Sequence, residues 1–435
     1  MRYWGLVMSK LEKYPKYKDS GVEWIGEIPE EWEVKKLKFL VKEHSGNGFP
    51  ITEQNNKQGT IPFYKVSDIN SNADYLYNAN NYVTFDLIKN MKWNLVPINS
   101  IVAAKIGEAL RKNHRKITTE KSIIDNNCIA IEPLSIDVKY NFYLHKIIDF
   151  DWFSNPGAVP SISVFKYKNF HVMLPPKQEQ IKIANYLDKK TAQIDKAITL
   201  KEQLIEKLKE RRQVLINDAI TKGLDKNAKM KDSGVEWIGE IPEGWEVKKL
   251  KYSLKLQNKK IRIEEQQVVA LENIESFTGK YIETTSKYDG EDNFFQKNDI
   301  LFGKLRPYLA KVFLCKTEGV AFGDLLVFRP KNNFNSKFAF YLLISAQFIK
   351  TVDSSTYGSK MPRASSSFIN EMLIGVPPKE EQIQIAEYIE ANTQKIDKAI
   401  DLQQKQIEKL KEYKATLIDS VVTGKVRICG QLPHS

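Results

Sequence analysis

The chain has few of the residues that build a reaction centre. Of its 435 residues, three are cysteine and five are histidine. Cys128, Cys315 and Cys429 lie far apart with no Cys-x-x-Cys spacing, and His44, His114, His145, His171 and His434 are equally scattered. Such dispersion excludes a metal site built from neighbouring ligands and leaves these side chains to packing or to the surface. No stretch reaches the roughly 18 consecutive apolar residues of a membrane helix. The opening MRYWGLVMSKLEK lacks a signal peptide's apolar core and small-residue cleavage site. The chain is therefore expected in the cytoplasm, away from membranes. Gly279-Lys280, Gly303-Lys304 and Gly424-Lys425 all lack the upstream glycine of a phosphate-binding loop, and the isolated Gly46-Asn47-Gly48 suits a turn.

What is present points to two cores and an anionic partner. The length exceeds what one hydrophobic core usually organises. An apolar fraction of 42% with 28% charged residues is that of a globular chain. Lys and Arg number 66 against 54 Asp and Glu, a net +12, which favours nucleic acid or an acidic surface without choosing between them.

An internal duplication organises the rest. KDSGVEWIGEIPEEWEVKKLK from Lys18 recurs from Lys231 with one change, Glu31 to Gly244. PPKQEQIKIANYLDKKTAQIDKAI from Pro175 likewise recurs from Pro377 as PPKEEQIQIAEYIEANTQKIDKAI. Between these brackets lie two inserts, about 39–174 and 252–376, with almost no sequence in common. A scaffold with one geometric task thus carries two unlike recognition elements. The inserts show β-type runs at Ile101–Ala104, Cys128–Ile131, Ile300–Phe302 and Leu325–Phe328 among Gly, Pro and Asn turns, a mixed α/β pattern. Trp32–Val34 and Trp245–Val247 read as strands that open each domain.

The closing segments are helical. Ile194, Ala197, Ile198, Leu204, Ile205, Leu208, Leu215 and Ile216 fall at helix spacing, as do Ile396, Ala399, Ile400, Ile407, Leu410, Leu417 and Val421. Gly223 and Gly424 are stop signals, and Thr191 and Thr393 are candidate N-caps after a break near Asp188–Thr191. A helix over 191–221 would be on the order of 46 Å long, with a stripe too narrow to bury alone. The expected fold is α+β: two mixed domains separated by two long antiparallel coiled-coil helices, with a pseudo-twofold duplication that holds the inserts at opposite ends. The alternative is that each helix packs only on its own domain.

With these motifs placed, the chain resembles the specificity subunits of type I restriction-modification systems from about Lys13 to Val426. The likeness rests on GEIPEEWEVKKL, LPPKQEQIKIANYLDKKTAQID, their second copies, and Val422–Val426. The resemblance implies target recognition domains at 13–190 and 225–392, spacer helices at 191–224 and 393–426, and a tail at 427–435. It implies a bipartite double-stranded DNA target whose gap the helices measure. It also implies two modification (methyltransferase) subunits and restriction subunits as partners, which would hold S-adenosylmethionine, ATP and Mg; this chain is expected to bind no cofactor and to be non-catalytic. An adenine methyltransferase needs a Pro-Pro-aromatic motif, whereas both Pro-Pro pairs here precede lysine.

DNA contact requires basic and planar groups in loops. AKIGEALRKNHRK offers Lys105, Arg111, Lys112, Arg115 and Lys116; FGKLRPYLAK offers Lys304, Arg306 and Tyr308; YGSKMPRASSS offers Lys360 and Arg363. NPGAVPSIS, from Asn155, occupies the position of that last loop in the first insert and has no basic residue. Two other readings stand beside this one. Asp19 with Glu33 and Lys35, and Asp232 with Glu246 and Lys248, superficially match a metal-dependent nuclease array. A coiled-coil scaffold whose inserts bind proteins is the other.

Overall fold

The computed structural model describes residues 12–54, 59–70, 73–155, 157, 159–331, 333–356 and 360–428; the N-terminal MRYWGLVMSKL, Cys429, His434 and most of the tail at 427–435 lie outside them. The chain forms two compact units, one of residues 1–199 and 407–435 and one of residues 200–406. Each unit contains one insert, its bracket, and part of each long helix. Among the described residues no helix is long and apolar enough to cross a membrane.

The bracket folds the same way in each unit. In the first, Tyr17–Asp19 pairs antiparallel with Glu27–Pro29, and Glu33–Lys36 pairs antiparallel with His171–Leu174, so the insert leaves and returns on adjacent strands. In the second, Met230–Asp232 pairs with Glu240–Pro242 and Glu246–Lys249 with Leu373–Val376. Trp32 and Trp245 precede these strands and are buried. Trp32 Nε1 donates to Glu179 Oε2 at 3.0 Å, and Trp245 Nε1 donates to Glu381 Oε2 at 3.0 Å. The next residue of each closing motif is a buried glutamine. Gln180 Nε2 donates to Pro175 O at 2.8 Å and Gln382 Nε2 to Pro377 O at 2.9 Å. Their Oε1 atoms accept from the N-cap amides of Asp137 and Asn335, both at 2.8 Å. The repeated Trp-Glu-Val and Glu-Gln are thus two halves of one interior hydrogen-bonded joint, which explains why they recur together.

The N-caps start helix α1 (Val138–Ile147) in the first unit; the two long helices are α2 (Lys177–Lys222) and α4 (Lys379–Val422), and helix α3 (Ser336–Ile344) is the second unit's counterpart of α1. The expected break near Asp188–Thr191 is absent, since α2 runs unbroken for 46 residues and α4 for 44. No proline or glycine interrupts either segment. Thr191 is not a cap: its Oγ1 is buried and donates to Leu187 O at 2.8 Å. Asp188 accepts from Lys139 and from Tyr143 at 2.8 Å. The helices stop where the glycines placed them, with Gly223 at φ 72° and Gly424 at φ 74°.

The helices are antiparallel partners. Within the second unit Lys201 Nζ donates to Gln403 at 3.0 Å while Arg212 lies 3.5 Å from Asp397, so advancing along α2 means retreating along α4. Within the first unit Lys414 Nζ lies 2.7 Å from Asp195. Ile194, Ile198, Ile205 and Ile216 are buried as the stripe requires, whereas Leu204 is exposed and the charged Arg212 is buried.

The inserts share a strand order despite their unlike sequences. The first builds a sheet in the order Val41–Ser45, Cys128–Pro133, Ile101–Ala104, Lys116–Thr118, Tyr75–Leu76. The second builds Leu254–Gln257, Leu325–Pro330, Ile300–Gly303, Val312–Leu314 in the same antiparallel succession. The four β-runs read from the sequence fall in the centres of these sheets, where their residues are buried on both faces except for the partly buried Leu326.

Candidate nucleic-acid interface

In the second insert, two loops far apart in sequence are tied into one surface. Leu305 and Arg363 form an antiparallel bridge. Arg306 N donates to Pro362 O and Ala364 N to Lys304 O, both at 2.8 Å, and Lys304 N donates to Asp324 O at 2.9 Å. Lys304, Arg306, Tyr308, Lys360 and Arg363 therefore belong to one neighbourhood. Asp324 is its anion, a residue that sequence reasoning passed over. Arg363 donates to it from Nε at 3.2 Å and Nη2 at 3.1 Å, and Lys304 Nζ is 3.6 Å away. Partial burial pushes the Asp324 carboxyl up, but Arg363 and Lys304 outweigh it and hold its pKa below the ordinary value. Arg306 is exposed and sits at φ 51°, ψ 61°, a left-handed conformation that costs an L-residue about 1 kcal/mol. Its guanidinium donates from Nη2 to Lys360 O at 3.4 Å. Tyr308 lies on the following 3-10 turn, 45% exposed.

The first insert builds the same pair of loops from different residues. Ile106 bridges Ser161 as Leu305 bridges Arg363. Ile162 N donates to Lys105 O at 2.9 Å, and Lys105 N to Asn127 O at 2.8 Å. Lys105 corresponds to Lys304, Asn127 to Asp324, Ser161 to Arg363 and Gly107 to Arg306. Gly107, at φ 74° and ψ −170°, occupies a region open almost only to glycine. The segment that reads as the counterpart of the second insert's 360–365 loop does lie there, although Pro156 and Ala158 lie outside the described residues.

The remaining first-insert candidates separate. Lys112 is exposed, and Arg111 is exposed but paired with Glu108 at 2.9 Å. Arg115 and Lys116 are corrections to the expectation of surface contacts, because both are buried. The Arg115 guanidinium stacks over Phe150 at 3.6 Å and donates to Asn113 and Ile148 O; burial holds its pKa below the usual guanidinium range. Lys116 donates to Ala73 O from the strand Lys116–Thr118. A basic cluster read as one loop is in fact a short helix, a turn and a strand, and Arg115 just before the strand and Lys116 at its start both face inward. The signal that separates them is Ile117-Thr118, the start of a β-run.

The nuclease-like array has local employment for its charges. Asp19 and Asp232 each accept from the glycine amide two residues on, at 2.9 Å, closing an Asx turn. Glu33 is paired with Lys35 at 2.7 Å, and Glu246 with Lys248. Cys128 and Cys315 are buried, which pushes their thiols up, and among the described residues no group of His, Cys, Asp or Glu could hold a metal ion.

The family profile described as a type I restriction modification DNA specificity domain matches residues 29–210 and again 242–412, well over half of the chain. The chain belongs to that family. Among its relatives is the type I restriction enzyme MjaVIII specificity subunit of Methanocaldococcus jannaschii, 23% identical over 92% of this chain and 94% of that one. The EcoDI specificity subunit of Escherichia coli is 23% identical over 84% of this chain and 82% of its own. In structure, the HsdS subunit from Thermoanaerobacter tengcongensis aligns with a TM-score of 0.52 at 12% identity, covering 91% of this chain and 98% of that one. A chain from a study of complex assembly and conformational transition of the type I R-M system aligns at 0.66 and 13%, with the same coverages. At those identities the structural likeness speaks for the fold alone. As a specificity subunit by family, the chain has its two profile matches where its two brackets are, and the break between them, 211–241, spans the end of α2 and the start of the second bracket.

Proposed function

We propose that this chain selects the DNA target of a type I restriction-modification complex by reading a split sequence, one part with each insert, while α2 and α4 set the gap between the parts. Two modification subunits and the restriction subunits dock on it in the cytoplasm and supply the chemistry, with S-adenosylmethionine, ATP and Mg held on those subunits and none on this chain. The observation that carries this reading is the pair of structurally equivalent loops with unlike side chains: the same set of backbone hydrogen bonds presents Gly107, Asn127 and Ser161 in one insert and Arg306, Asp324 and Arg363 in the other. A device repeated in backbone and varied in side chains suits two different half-sites.

The test is to replace residues 39–174 with the corresponding segment of another family member and map methylated adenines in host DNA. One half of the recognition sequence is expected to change and the other to stay. An unchanged sequence would refute modular reading. Specific binding by the assembled complex is also expected to fall steeply with salt, as phosphate contacts require. A protein-binding scaffold with a mainly apolar interface would show little dependence.

A further inference from the structure

Within the split-site reading, on which this inference rests, we propose that Arg306 is the specificity-determining residue of the second insert and that it recognises a guanine. Three observations converge on it. Its backbone is left-handed, a conformation unfavourable for arginine, and it is locked there by the hydrogen bond from its amide to Pro362 O at 2.8 Å. The side chain is exposed, and among the described residues no carboxylate lies within ion-pair distance of it. Its neighbours differ: two donors of Arg363 are engaged by Asp324, and Lys304 leans on the same carboxylate. A strained residue whose solvent-facing guanidinium makes a single long backbone contact, from Nη2 to Lys360 O, and no ion pair among the described residues points to a contact made with a ligand.

The chemistry of the fork selects the ligand. A planar guanidinium offers two parallel N–H donors, and the major-groove edge of guanine offers two acceptors, N7 and O6. Adenine presents an acceptor beside a donor, so a fork of donors leaves one mismatched. Asp324 pairs with Arg363 and Lys304, so the cations beside Arg306 are partly neutralised.

The experiment uses the complex with its modification subunits and duplexes that carry its mapped target. The insert exchange identifies which half-site belongs to residues 252–376. Each guanine of that half-site is replaced in turn by 7-deazaguanine, which lacks the N7 acceptor, or by adenine. One position is expected to lose about 10- to 100-fold in competition binding. Arg306→Gly is the informative variant, because glycine adopts positive φ without strain and the melting temperature is expected to stay close to the parent's. That variant should bind the intact target as weakly as the parent binds the substituted one, show no preference at that position, and keep every preference in the other half-site. The proposal is overturned if Arg306→Gly retains the guanine preference, if it weakens all duplexes equally, or if the half-site contains no guanine. A parent complex without any sequence preference would instead overturn the split-site reading itself.

Discussion

In the two brackets, corresponding positions hold corresponding partners, whereas in the two loop pairs corresponding positions hold different chemistry. Trp32–Glu179 and Trp245–Glu381 have the same 3.0 Å geometry, and the Gln180–Pro175 bond at 2.8 Å has its counterpart in Gln382–Pro377 at 2.9 Å. By contrast, Gly107, Asn127 and Ser161 stand where Arg306, Asp324 and Arg363 stand in the second insert. The difference follows from what each position must satisfy. The bracket indoles and glutamines are buried and hydrogen-bonded, so changing one leaves a partner unpaired at a cost of about 1–3 kcal/mol. Loop residues are joined through backbone amides and carbonyls, which leave most side chains free to vary, Gly107 excepted. Recognition residues can therefore diverge over a shared set of backbone hydrogen bonds, even where the dihedrals differ, as at Gly107 and Arg306.

The long helices offer an intermediate case. Asp195–Lys414 and Asp397–Arg212 occupy equivalent places, but Arg212 is buried, bonds Phe277 O as well, and shares Asp397 with Lys280 at 3.0 Å. The duplication kept the charge pair, and only one copy became a clasp for the neighbouring loop.

The largest effect that would test the equivalence of the brackets is removal of an indole. Trp32→Ala and Trp245→Ala are each expected to cost about 3–5 kcal/mol in their own unit, read by hydrogen exchange or denaturant unfolding. A gap of more than about 2 kcal/mol between them would break the comparison. Next come the helix pairs: Arg212→Ala should cost about 3 kcal/mol as a broken buried pair. Lys414→Ala, at a more exposed site, should cost at most about 1 kcal/mol. Equal costs would show that burial does not set the difference. Gly107→Ala is expected to cost about 2 kcal/mol, because alanine resists that φ and ψ. Parent-like stability would mean the first loop pair tolerates another backbone.

The smallest effect concerns pH. His145 is fully buried, with Nδ1 2.8 Å from Asn141 O and Nε2 2.7 Å from the Tyr167 hydroxyl, and burial lowers its pKa to about 3. The second unit has Leu343 at this place in α3. A histidine neutral in the fold but protonated when unfolded near pH 6.5 stabilises the fold above that pH and loses this contribution as pH falls toward 3. Relative to His145→Gln, the parent should lose about 1 kcal/mol between pH 7 and 5.5, measured by chemical denaturation. A flat difference would remove His145 as a source of acid sensitivity peculiar to the first unit.

Much of this architecture was legible in the sequence because its signals are local or repeated. The brackets identify themselves by recurring, the helix stripe by its spacing, the helix ends by Gly223 and Gly424, and the central strands by short β-branched runs. The break at Asp188–Thr191 was misread because threonine and aspartate favour caps when unpartnered. Here Tyr143 and Lys139 from α1 occupy them instead. Arg115 and Lys116 were misread for a related reason, since a run of basic residues looks solvated until a strand through it faces a core.

The sequence alone determined that one frame is used twice, that two long amphipathic helices close it, and that the inserts differ, because these are matters of pattern along the chain. Only the tertiary structure decided that dissimilar inserts share a strand order, that residues 304–306 meet 360–364, and that Asp324 holds Arg363. Such contacts join backbone groups dozens of residues apart, and a backbone hydrogen bond leaves no trace in the identity of the side chains it brings together.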